Sequence, residues 1–124
     1  MSRYQDLSVW KKSMSVSVSV YELTKQLPKE ETYGLISQMR RAAVSIASNI
    51  AEGHGRRSKG DFDRFLSIAN GSKAELETQL LLCELLKYLK NEEIKNLMDD
   101  LKEIGKMIYG LQSKITINKL PSSV

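Results

Sequence analysis

The chain has 124 residues, 41% of them hydrophobic and 27% charged, and a formal net charge of +4. That length suits one domain with one core, and the balance of apolar to charged residues excludes a disordered chain. No run nears the ~20 apolar residues of a membrane span, the start MSRYQDLSVWKK lacks an apolar leader core, and the single cysteine, Cys83, excludes an internal disulfide. A cytoplasmic protein with no membrane partner is expected. Only seven glycines and two prolines interrupt the chain, which favours long helices over a many-turned β fold.

The first element is ambiguous. SVSVSV, residues 15–20, alternates with period two, the signal of a strand. Val9, Trp10, Met14, Val20, Leu23 and Leu27 also fit one helical face, and Asp6 can cap its start. A lone strand has nothing to pair with, so a helix over about 7–26 is expected.

Pro28 with Glu30 and Glu31 marks the start of a second helix, about 29–52. Ile36, Met39, Ala43, Ile46 and Ile50 form its stripe, and Gly53 is the expected stop in left-handed backbone. Gly53 and Gly55 together would supply the backbone angles of a tight reversal.

A third helix, about 59–90, carries Phe62, Phe65, Ala69, Ser72, Leu76, Leu80, Cys83 and Leu86 at helical spacing. Leu66, Leu81, Leu82, Leu85 and Leu89 widen the stripe, which calls for two packing partners. Ser58 and Asp61 fit a capping box at its start. Gly71 inside it costs about 1 kcal/mol relative to alanine, so another backbone is expected to come close there.

The fourth helix, about 92–115, has an unbroken seam of Ile94, Leu97, Leu101, Ile104, Ile108, Leu111 and Ile115. Asn91 is its expected N-cap, and residues 116–124 are expected to fray. The fold class is therefore all-α: one domain, 1–124, forming an antiparallel up-down four-helix bundle.

The turn between the second and third helices, NIAEGHGRRSKGDF, carries the chemistry. It holds the only histidine, His54, and no second histidine or cysteine beside it argues for zinc. Glu52, Asp61 and Asp63 suit caps and solvated surface better than a magnesium site, and no P-loop, nucleophile elbow or dinucleotide fingerprint is present. No catalytic residue, metal or cofactor is expected, with a nuclease as the residual enzyme reading. Anion binding fares better. GHGRRSKG has three basic residues and no acidic one, beside the positive end of the third helix. Residues 1–73 carry 12 Lys/Arg against 7 Asp/Glu, and all six arginines lie there. The candidate nucleic-acid-binding set is Arg40, Arg41, Arg56, Arg57, Lys59, Arg64 and Lys73. The competing reading of the turn is a solvated basic loop, ion-paired locally to Glu52 and Asp61.

The run YGLISQMRRAAVSIASNIAEGHGR, followed by FDRFLSIANGSKAELETQL, resembles the four-helix-bundle proteins known as 23S rRNA-intervening-sequence proteins. DLSVWKKS and the approach Leu27-Pro28-Lys29-Glu30-Glu31 fit it too, so the similarity covers roughly residues 4–114. The resemblance implies a bundle assembling into a homo-oligomeric ring, typically a pentamer. An accessory protein of diversity-generating retroelements is similar, and it works with a reverse transcriptase and nucleic acid. By that analogy the expected partners are copies of the chain itself, RNA or DNA, and a nucleic-acid enzyme. Gln38, Arg41, Ser45, Ser48, Asn49 and Glu52 form a polar strip on the second helix, continued by Ser72 and Glu75 on the third. It reads as subunit contact or inter-helix hydrogen bonding, with Arg41 meeting a carboxylate and Asn49 meeting backbone. The functional expectation is a non-catalytic RNA- or DNA-binding oligomer without sequence-specific readout, since few aromatics are free to stack bases. The alternative is a protein-interaction scaffold for a nucleic-acid enzyme.

Overall fold

The computed structural model describes the backbone of residues 3–119 and the side chains of residues 3–116. Four helices dominate: α1 (Ser8–Thr24), α2 (Ser37–His54), α3 (Lys59–Leu85) and α4 (Asn91–Lys119), with no strand among the described residues. α1 packs on α2, α2 on α3, α3 on α4, and α4 on α1, closing a four-helix bundle around one core. No helix among the described residues is long and apolar enough to cross a membrane.

The SVSVSV run is helical. Val16, Ser17 and Val20 point inward while Ser15, Val18 and Ser19 face out, a three-four rhythm shared with buried Val9, Ser13 and Thr24. The buried hydroxyls are satisfied within the helix: Ser13 donates to the Val9 carbonyl at 2.7 Å, Ser17 to Ser13 at 3.1 Å and Thr24 to Val20 at 2.8 Å. Serine can therefore sit in the core without an unpaired polar group. Asp6 is not the cap of α1. Its carboxylate accepts from the Arg3 amide within a short turn, Tyr4–Asp6, and Leu7 occupies the cap position.

The second helix does not begin at residue 29. A 3-10 turn, Lys29–Glu31, and a π-helical stretch, Thr32–Ile36, lead into α2. Gly34 breaks the ladder there at φ −108°, ψ −114°. Glu31 repairs the break, its Oε1 accepting from the Leu35 amide at 3.1 Å while its Oε2 accepts from the Tyr88 hydroxyl at 2.9 Å. A Cβ on Gly34 would meet that Oε1 at 2.7 Å. One carboxylate thus ties the kinked start of α2 to the α3–α4 connection.

α3 stops at Leu85, short of residue 90. Lys87 adopts φ 64°; its amide donates to the Glu84 carbonyl at 3.0 Å and the Tyr88 amide donates to Cys83 at 2.9 Å. This is a Schellman ending with lysine where glycine is usual. Asn91 is the first residue of α4 rather than its cap; the Glu93 carboxylate accepts from the Lys90 amide at 2.9 Å. α4 continues to Lys119, past the expected end at residue 115, and residues 120–124 of the expected tail lie outside the described residues. Its seam is inward as expected, with Ile94, Leu101, Ile104 and Ile108 fully buried against Met39, Ile46, Ile50, Leu66, Leu76 and Leu80. Burying each such side chain contributes about 1.5–3 kcal/mol.

Candidate nucleic-acid interface

The α2–α3 corner is built by close packing, not by left-handed glycines. Gly53 is buried in the last turn of α2, and no glycine among the described residues has positive φ. A Cβ on Gly53 would lie 2.5 Å from Phe65 Cβ and 3.1 Å from Phe62 Cδ1. The glycine is needed because α3 crosses there, and Gly55 ends α2 in ordinary right-handed backbone at φ −79°. Ser58 caps α3 as expected, its Oγ accepting from the Asp61 amide at 3.0 Å. His54 stands edge-on to Phe62 with ring centroids 5.8 Å apart, a packing role.

Phe65 is the hub of the corner. The Arg56 guanidinium lies 4.8 Å from its ring centroid and that of Arg64 lies 4.7 Å from it. Arg56 also bonds Glu52, Nη2 to Oε1 at 2.9 Å, but both side chains stay about half exposed, at 43% and 55%. Such a pair is worth little and leaves the arginine able to exchange partners. Arg57 and Lys59 are exposed and make no ion pair or side-chain hydrogen bond among the described residues. Four basic side chains therefore share the corner with the positive end of the 27-residue α3.

The remaining three candidates lie elsewhere. Arg40 ties α2 to α1: its Nε donates to Thr24 Oγ1 at 2.9 Å, its Nη2 to the Tyr21 carbonyl at 3.3 Å, and its guanidinium covers the Tyr21 ring at 4.5 Å. Lys73 sits against Gly105 of α4 and pairs with Glu77 at 3.0 Å, with only 14% of its side chain exposed. Arg41 is exposed but lies roughly 20 Å back along α2 from the turn, at 1.5 Å per residue. It forms no ion pair among the described residues, so the expected carboxylate partner is not within the chain's ion pairs.

Part of the polar strip is satisfied within the chain. Ser45 and Ser72 hydroxyls meet at 2.8 Å across α2 and α3, and Asn49 Nδ2 donates to the Ser45 carbonyl and hydroxyl at 2.8 and 2.9 Å. Gln38, Arg41, Ala42, Ser45 and Glu75 line a polar hollow of about 250 Å³. Ser48 and Glu52 face solvent on the same ridge. Sequence reading missed Gln79, which follows Ser72 and Glu75 at helical spacing and is 7% exposed; its Oε1 is buried with no partner among the described residues. It also missed Phe65 as a shelf for two arginines. The signal for that role was faint, since Arg56 and Arg64 become neighbours only once the turn closes.

No three His, Cys, Asp or Glu side chains converge as metal ligands among the described residues. Cys83 is buried, its thiol donating to Met39 Sδ at 3.7 Å. Burial, and then the charge of Glu31, push that thiol up to about 11, well away from a reactive thiolate.

No curated protein matches the chain significantly. Among solved structures it is similar to a protein of unknown function from the S23 ribosomal protein family of Bacteroides thetaiotaomicron. The identity is 30%, the TM-score 0.78, and the match covers 84% of this chain and 97% of that one. The family model described as 23S rRNA-intervening sequence protein matches residues 5–110, nearly the whole bundle with the corner and the polar strip inside it. The chain belongs to the 23S rRNA-intervening sequence protein family.

Proposed function

We propose that this protein is a non-catalytic bundle, its helices alternating up and down, that assembles into a homo-oligomeric ring, expected as a pentamer, and binds RNA through the α2–α3 corner. The observation that carries the reading is the convergence of Arg56, Arg57, Lys59 and Arg64 at one corner, two of them held over Phe65. Guanidinium groups resting on a ring lose little further freedom when a phosphate arrives, and arginine meets phosphate through two parallel bonds. The corner projects no stacking platform, because Phe65 is 7% exposed. Contacts are therefore to backbone phosphate, and affinity is independent of base sequence. A ring repeats the corner once per subunit, so a modest patch gains strength through effective concentration.

Titration of fluorescently labelled RNA by anisotropy at several salt concentrations tests this. Affinity falls with salt, and Arg56→Ala/Arg57→Ala loses about tenfold or more. Salt-insensitive binding, or none, overturns it; stoichiometric recovery of a nucleic-acid enzyme without RNA would then favour the scaffold reading.

A further inference from the structure

A groove of about 640 Å³ lies between α1 and α2, away from the corner. Tyr21, Tyr33, Ile36, Arg40, Arg41 and Val44 form much of its wall, and its lining contains no carboxylate. Small-ligand sites usually have volumes of about 300–1,000 Å³, so the groove is large enough for one planar group and its neighbours. Tyr33 is 95% exposed, more than any other large apolar side chain among the described residues. It belongs to the π-helical stretch Thr32–Ile36, one position before the break at Gly34. The Glu31 carboxylate that repairs this break also fixes the backbone carrying the ring. A ring so exposed has its π-face free for a partner.

Positive charge stands beside it in two forms. Arg40 is fixed, its guanidinium 4.5 Å from the Tyr21 ring centroid and donating to Thr24 and to the Tyr21 carbonyl. Arg41 is exposed and forms no ion pair among the described residues, although Glu75 lines the adjoining polar hollow that Arg41 also borders. An open aromatic face next to an unpaired arginine complements a nucleobase and its phosphate.

The groove is also continuous with the corner. Arg41, Ser45, Ser48 and Glu52 follow one another at helical spacing along one ridge of α2. Arg41 and Ser45 line the groove at one end, and Glu52 bonds Arg56 at the other. The ridge is roughly 20 Å long at 1.5 Å per residue, about six nucleotides at a stacked spacing of ~3.4 Å.

We propose that the groove seats one unpaired nucleotide of an RNA strand that runs on along this ridge to the corner. Its base stacks on Tyr33, and Arg41 meets its phosphate, with Arg40 adding fixed charge. The site rests on the RNA-binding reading above and adds to it a preference for unpaired RNA. In a duplex the bases are already stacked on one another, and the protein meets mainly backbone. Every base has a π-face, so the preference is for single strands and not for sequence.

Anisotropy with a labelled unstructured RNA, and with the duplex of the same sequence, provides the test. Wild type binds the single strand more tightly. Tyr33→Ala lowers single-strand affinity about tenfold and leaves duplex affinity unchanged, while Tyr33→Phe keeps wild-type binding. Arg41→Ala makes the salt slope shallower by roughly 0.7, the loss of one phosphate contact. Circular dichroism and light scattering on each variant match wild type, because both side chains are exposed. A wild type that binds no RNA, or binds it without salt dependence, overturns this site together with the RNA-binding reading. Salt-dependent binding without preference for the single strand overturns the groove site alone. So does a Tyr33→Ala that leaves single-strand affinity intact or weakens both RNAs alike, or an unchanged slope in Arg41→Ala. A change of assembly size in Tyr33→Ala also overturns it, assigning Tyr33 to a contact between subunits.

Discussion

Gly53 and Phe65 approach so closely that a single added methyl on the glycine would sit 2.5 Å from Phe65 Cβ. This contact sets how tightly α2 turns into α3, and so where the arginines around Phe65 stand. Gly53→Ala is expected to destabilise the bundle by about 1–3 kcal/mol, the usual cost of overpacking, read as a lower urea midpoint. Gly71→Ala should act in the opposite direction. The close backbone expected at Gly71 is absent from the chain, where a Cβ would find nothing within 4 Å, so alanine is expected to add about 1 kcal/mol.

Lys87 ends α3 in left-handed backbone at φ 64°. A side chain there costs roughly 1 kcal/mol relative to glycine. Lys87→Gly is expected to raise the thermal midpoint by several degrees. An unchanged or lower midpoint would mean that the lysine stem gains in packing what the backbone loses.

Cys83 gives the bundle an alkaline limit. Its thiol is held neutral in the folded chain, from an ordinary 9.0 up to about 11, so the unfolded chain ionises first. The stabilising contribution is complete below pH 9 and is lost as pH rises through about 11, by ~3 kcal/mol at most. Urea unfolding from pH 8 to 11 should show a steeper decline for wild type than for Cys83→Ala. The native thiol should also resist alkylation at neutral pH until denaturant is added.

The seam of α4 was legible because seven apolar residues repeat without interruption from Ile94 to Ile115, and only a helix aligns them. The end of α3 was not, since Leu85, Leu86 and Leu89 continue the apolar pattern past the true stop. The stop depends on the Lys87 turn and on Tyr88 reaching Glu31, a contact 57 residues apart in the chain. The π-helical entry to α2 is hidden for the same reason, because Glu31 satisfies the break at Gly34 from outside the helix. At the corner, the basic run Arg56–Arg57–Lys59 could be read directly. The fates of Arg40 and Lys73 could not, because Thr24, Tyr21 and Gly105 belong to other helices. Local sequence located the charge; packing between helices decided which charges were left to act.

The most direct measurement is the salt dependence of RNA affinity for wild type and for Arg57→Ala/Lys59→Ala. These two side chains are exposed and form no ion pair among the described residues, so the fold should be unchanged. The expected result is that log affinity falls linearly with log salt in wild type. In the variant the slope should be shallower by roughly 0.7 for each phosphate contact removed. Equal slopes in the two proteins, or an affinity that salt does not touch, would contradict an RNA-binding corner.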